Sequence, residues 1–172
     1  ATRIRDADAM LGKLTEYFSQ VDEPVILVFW GDHYNPIDSN YDVYTATGYA
    51  SDSSADPKLH QTTLLMWSNY SQQKVELGTI AAYDISPVMM DIYGLDEPLY
   101  FQFLNRQLRV ADRAYTRGVV MEQDGSTTLE PTAFQQRWNQ EHWMLQYDLM
   151  FGKGYALDRM GLSAFSAPPK GK

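Results

Sequence analysis

"VILVFWGDHYNP", residues 25–36, places six apolar residues directly before a glycine, an acid and an imidazole. The run VILVFW is too short for a helix, and its β-branched and aromatic residues leave both faces of an extended chain apolar. That pattern predicts a strand covered on both sides, as the central strands of parallel sheets are. Upstream, Ile4, Ala7, Leu11, Leu14 and Phe18 recur at three- and four-residue steps. They predict a helix over about residues 3–19, ended by Asp22-Glu23-Pro24. A helix followed by a buried strand is half of an α/β repeat, so the expected class is α/β.

In open α/β sheets, ligands gather at the carboxyl ends of strands, where loops fan apart above a rigid base. Asp32 and His33 stand at that place, and a carboxylate beside an imidazole suits Mn²⁺, Zn²⁺ or Mg²⁺. Gly31 is expected to let the backbone turn so that both side chains converge. The competing reading is a strand-end turn with a surface acid and a packed histidine, the ordinary role of so short a motif. Two donors also fall short of the four or so that an ion requires.

The chain has 172 residues, 44% hydrophobic and 13% aromatic, enough for one domain with a real core. A net charge of -8 with scattered Lys and Arg argues against nucleic acid or an anionic membrane as partner. With no cysteine there is no disulfide, thiolate zinc site or thiol nucleophile. No apolar run approaches a membrane span. The sequence opens inside an amphipathic pattern without an initiator Met, and is expected to be cut from something longer.

Downstream, residues 34–57 read as a long loop with one short element near "DVYTATGY". "TTLLMWSN" (62–69) predicts a second buried strand, and "VELGTI" (75–80) a short extended piece. Ser86-Pro87 is expected to open a helix with serine as cap, burying Val88, Met89, Ile92 and Tyr93 and stopping at Gly94. A further helix is expected over residues 98–109. "GVVMEQDGS" predicts a hairpin with an Asp-Gly turn. Glu130-Pro131 opens a last long helix with Phe134, Trp138, Leu145 and Leu149 on one side, and residues 158–172 are expected to fray.

Other chemistry-bearing residues read as structural. His60 and His142 lack metal-ligand spacing and are assigned to surface or packing, and Met66, Met89 and Met90 to core filling. The Gly152-Lys153-Gly154 step lacks the Walker pattern and reads as a helix C-cap. No G-x-S-x-G elbow is present.

The stretch "DADAMLGKLTEYFSQVDEPVILVFWGDHYNP" resembles the C-terminal half of sulfatase-like enzymes of the alkaline phosphatase superfamily. It is most similar to the lipoteichoic acid synthase and phosphoglycerol transferase group, with an Ala-Asp-x-x-Leu-Gly helix and an apolar strand ending in Gly-Asp-His. "TTLLMWSNY", "LGTIAAYDISPVMMDIYGLDEPLYFQFL" and "LQYDLMFGKGY" continue the likeness in order, over about residues 6–157. The loop from 37 to 58 matches no family pattern, and Asn35 stands before Pro36 where many relatives place proline sooner.

The resemblance implies a three-layer αβα, alkaline-phosphatase-like fold. This chain would be its C-terminal portion, with a mostly parallel sheet plus a small C-terminal hairpin and helix. It implies that Asp32 and His33 are two ligands of a catalytic divalent ion, Mn²⁺ in the synthase branch and Zn²⁺ or Ca²⁺ elsewhere. The nucleophile, a Thr or Ser, and the substrate-contacting residues would lie upstream, so no catalytic residue is assigned within residues 1–172, and this fragment alone would be inactive. The implied partners are the upstream part of the same domain and a phosphoglycerol lipid, or a sulfate or phosphate ester. The implied location is the extracellular or periplasmic face of a bacterial cell membrane. The alternatives are a hydrolytic sulfatase or phosphodiesterase of the same superfamily, and a non-catalytic scaffold or binding module. A sheet edge left open by the cut would favour self-association.

Overall fold

The computed structural model describes residues 2–33, 42–50, 56–110, 120–121, 127–128 and 130–160. They fall into two compact units, residues 1–75 and 76–172.

In the first unit, helix α1 (Thr2–Phe18) leads through Asp22-Glu23-Pro24 into strand β1 (Ile26–Trp30). Ala7, Leu11, Leu14 and Phe18 are half-buried, as their spacing predicts, whereas Ile4 is exposed. Helix α2 (Asp42–Ala46) and a single 3₁₀ turn (Pro57–His60) follow. Tyr44, Ala50 and Leu59 from this region form a small buried cluster, so the expected short element near "DVYTATGY" exists and has a core of its own. The rest of the expected long loop, residues 34–41 and 51–55, lies outside the described residues. Strand β2 (Leu64–Ser68) completes the unit.

The direction of pairing corrects the expected mostly parallel sheet. β1 and β2 run antiparallel, with Ile26 opposite Ser68, Val28 opposite Met66 and Trp30 opposite Leu64. An apolar run reports how a strand is covered and carries no information on the direction of its neighbour. The register itself shows the reversal: the start of β1 lies beside the end of β2, and Gly31 N–H, just after β1, meets Thr63 O, just before β2. Burial differs as well: Ile26 to Phe29 are half-buried and Trp30 is exposed. The faces of a strand are covered by layers packed on them, and among the described residues β1 is not fully buried on either face.

In the second unit, "VELGTI" contains no strand. A 3₁₀ turn (Ala82–Asp84) runs directly into helix α3 (Ile85–Tyr93), which ends on Gly94 at φ 67°, as expected. Leu95 N–H closes this cap onto Met90 O at 2.9 Å. The expected serine cap is corrected: Ser86 is an exposed residue within the helix, and Asp84 holds the N-cap position. Helix α4 (Leu99–Val110) follows. Asn105 on α4 is buried and donates its amide to Pro87 O on α3 (3.0 Å) and to Glu97 Oε2 (2.9 Å).

Strands β3 (Val120–Met121) and β4 (Thr127–Thr128) pair antiparallel as the expected hairpin, whose Asp-Gly turn lies outside the described residues. Helix α5 (Ala133–Met150) starts at Thr132, not at Glu130-Pro131. Thr132 Oγ1 accepts from Gln135 N–H, and Gln135 Oε1 accepts from Thr132 N–H, a reciprocal capping box. Trp138 is buried and Phe134, Leu145 and Leu149 are half-buried, so the expected face is the packed one. Helix α6 (Tyr155–Arg159) includes two residues assigned to the frayed tail, Asp158 and Arg159; residues 161–172 lie outside the described set.

Candidate metal centre

β1 delivers the chain to Gly31, where the backbone meets the residues preceding β2. Gly31 N–H donates to Thr63 O (3.2 Å), and Thr62 Oγ1 donates to Gly31 O (2.7 Å). A Cβ on Gly31 would sit 3.0 Å from Thr62 Cβ. Gly31 is not among the glycines with left-handed backbone. Its absence of a side chain therefore serves close approach to Thr62 rather than the sharp turn expected from sequence.

Asp32 and His33 leave this clasp together. Asp32 Oδ1 accepts from the His33 backbone N–H at 3.0 Å, and Asp32 Oδ2 stands 3.5 Å from His33 Nε2. The side chains are 86% and 71% exposed respectively, so both reach solvent beyond the strand end. Donors to one divalent ion lie roughly 2.0–2.6 Å from it, and a 3.5 Å separation lets one point satisfy both. A carboxylate oxygen and an imidazole nitrogen also suit a hard-to-borderline cation. The pair therefore fits part of a metal site. Among the described residues, no group of three or more His, Asp or Glu converges to complete one. The same geometry serves an exposed ion pair when His33 is protonated, a contact of small energetic consequence.

The other histidines fall as their spacing predicts. His60 is exposed. His142 is 4% exposed, with ring centroids 4.7 Å from Trp138 and 4.9 Å from Tyr83, and Nε2 lies 3.4 Å from Tyr100 Oη. Burial pushes its pKa down, as expected of a packing residue kept neutral. The Gly152-Lys153-Gly154 step is also structural. The helix C-cap is Phe151; Asp148 Oδ2 accepts from Ala156 N–H at 2.7 Å and caps α6; Gly154, at φ 71°, is the N-cap of α6.

Asn69, just after β2, escaped sequence reasoning. Its Oδ1 accepts from Val25 N–H (2.8 Å), and its Nδ2 faces Phe18 O (3.1 Å), Val21 O (3.0 Å) and Glu23 O (2.9 Å). One amide thus fastens the end of α1, the connection and the entry to β1. Only the polar close of "LLMWSN" hinted at it.

Residues 1–95 match the sulfatase family. The chain belongs to the sulfatase family, within the alkaline phosphatase superfamily. Among its relatives is a Rhizobium meliloti (strain 1021) protein whose name assigns it, provisionally, to cyclic beta-1,2-glucan modification. That protein is 28% identical over 177 residues, which cover 92% of this chain and 26% of the relative. Among solved structures, the Streptococcus pyogenes phosphoglycerol transferase GacH, in complex with sn-glycerol-1-phosphate, shares the fold at TM-score 0.66. It is 20% identical, and the match covers 89% of this chain and 34% of GacH. The sulfatase-family chain thus spans about a quarter to a third of these relatives. Its fold is α/β and sulfatase-like, mostly helical among the described residues, with small antiparallel strand pairs. No helix among the described residues is long and apolar enough to cross a membrane.

Proposed function

We propose that this chain is the C-terminal portion of a metal-dependent transferase of the sulfatase family, in which Asp32 and His33 are two of the metal ligands. The observation that carries the reading is their juxtaposition at the end of β1, with Oδ2 and Nε2 3.5 Å apart, inside the segment that matches the family. Asp32 supplies an anionic oxygen, and its bond to the His33 amide fixes the carboxylate's direction. His33 supplies an imidazole nitrogen, a common donor to such ions. The Thr62–Gly31 bond holds the strand end on which both stand. A bound divalent ion, Mn²⁺ by preference, supplies positive charge against a transferred phosphoryl or sulfuryl group. The nucleophile and the remaining ligands belong to the upstream part of the domain.

Transfer is favoured over hydrolysis because GacH is a phosphoglycerol transferase and the Rhizobium meliloti relative carries glucan modification in its name. The substrate class is then a phosphoglycerol donor with a glycan acceptor, outside the cytoplasmic membrane of a bacterium. In the whole domain, further strands would flank β1 and β2 in a three-layer αβα arrangement. The half-exposed apolar residues of β1 support that addition.

In the full-length protein with saturating Mn²⁺, Asp32→Ala and His33→Ala are each expected to lower turnover about a hundredfold or more. Secondary structure by circular dichroism should stay at wild-type level. Near-normal turnover in both variants would reduce the pair to a strand-end turn. Release of free glycerol phosphate, with no glycan-linked product, would replace transfer by hydrolysis.

A further inference from the structure

We infer that the second unit carries a binding cleft for a phosphate group, free or esterified, between α4 and α5, with Arg106 as its principal anchor. The cleft, about 140 Å³, is lined by Arg106, Phe134, Arg137, Trp138 and Glu141. Drug-sized ligands occupy pockets of roughly 300 Å³ or more, so this volume suits a single anionic group. In a chain of net charge -8, two guanidiniums, both on exposed residues, line the cleft together with one carboxylate. Glu141 is engaged: its Oε1 accepts from Arg137 Nε at 2.9 Å. Arg106 lies 5.7 Å over the Phe134 ring, and its N–H donors make no hydrogen bond to another described residue.

A guanidinium held by one face against an aromatic ring keeps its planar fork of donors in place and open. That fork matches two oxygens of a phosphate and loses little side-chain freedom on binding. Trp138 forms a rigid floor: it is 2% exposed, stacks on Phe103 at 5.4 Å and donates its indole N–H to Phe103 O. Glu141 opposes an incoming anion, so the site as built is weak, and removing that charge should strengthen it.

Titration of the 172-residue chain with inorganic phosphate, and separately with sn-glycerol-1-phosphate, tests this by ¹⁵N–¹H correlation spectra at ionic strength matched with chloride. Saturable shifts are expected at the Arg106 side-chain Nε–H and the Trp138 indole N–H. In Arg106→Gln, affinity should fall about tenfold or more, the loss of one charge-assisted hydrogen bond. In Glu141→Gln it should rise by up to about fivefold. Arg106→Lys, which keeps the charge without the fork, should lie between wild type and Gln. Tighter binding of the glycerol ester than of inorganic phosphate would identify an esterified headgroup as the ligand; equal affinity would identify the phosphate group alone. Unchanged affinity in Arg106→Gln, or equal shifts with chloride alone, would overturn the assignment.

Discussion

Asp84 shows most plainly how a single side chain can set the pH response of this molecule. It is fully buried; Oδ2 accepts from Ala81 N–H at 3.1 Å, and Oδ1 has no hydrogen-bond partner among the described residues. Burial pushes its pKa up to about 7 from 3.8, against the smaller downward pull of the Ala81 bond. Because the folded pKa lies above the unfolded one, the native state holds this proton more tightly. Its contribution is most favourable below about pH 4 and is lost as pH rises toward 7. Asp84→Asn keeps the acceptor for Ala81 without the charge. It should raise the unfolding free energy by about 1–3 kcal/mol at pH 8 and change it little at pH 4. Urea unfolding at both pH values checks this, and an equal effect at the two would remove ionisation as the cause. Gly31 makes a complementary point: its steric fit against Thr62 sets the strand end without needing a left-handed backbone.

Among the elements, connections matter as much as the helices and strands they join. Asn69 replaces a stretch of regular structure by meeting three carbonyls and one amide around the α1–β1 link. Asn69→Ala should lower stability by about 2–4 kcal/mol, since partly buried backbone groups lose their partners. Asn69→Asp should be at least as damaging, because a carboxylate would face the carbonyls of Phe18, Val21 and Glu23. Denaturant midpoints report both; a change below about 0.5 kcal/mol in either would mean that water replaces the amide freely. Asp148 does similar work at the other end of the chain. A Cβ on Gly152 would come within 2.7 Å of Asp148 Cα, so that glycine is required by the turn between α5 and α6. Lys153 therefore lies in a helix-to-helix connection.

For the molecule as a whole, each strand of the β1–β2 ladder has a neighbour on one side only among the described residues. Unpaired backbone donors and acceptors on an apolar strand favour pairing with another chain. The isolated 172-residue chain is therefore expected to self-associate as concentration rises, and sedimentation velocity over a wide concentration range measures it. A lysine placed at Leu65, already exposed on β2, should weaken the association. A monomer at every concentration would mean that these edges are covered. The matched segment makes up 26% of the Rhizobium meliloti relative and 34% of GacH.

Periodicity and punctuation were enough to place α1, β1, β2, α3, α4 and α5, because each depends on local spacing and on stop signals such as Pro24 and Gly94. The place of Asp32 and His33 at a strand end was legible for the same reason, since an apolar run ending in glycine marks one. Direction of pairing was not legible: VILVFW is equally apolar beside a parallel or an antiparallel neighbour, and only the β1–β2 register decides. The capping box of Thr132 and Gln135 lay in the sequence as a spacing, but Glu130-Pro131 offered a competing start, and the tertiary structure chose between them. The α4–α5 cleft had no sequence signature and the Asn69 hub only the polar close of its strand, since their partners lie too far apart in the chain for local spacing to connect them. Local order follows from nearest-neighbour chemistry, whereas contacts between distant segments exist only once the chain has closed upon itself.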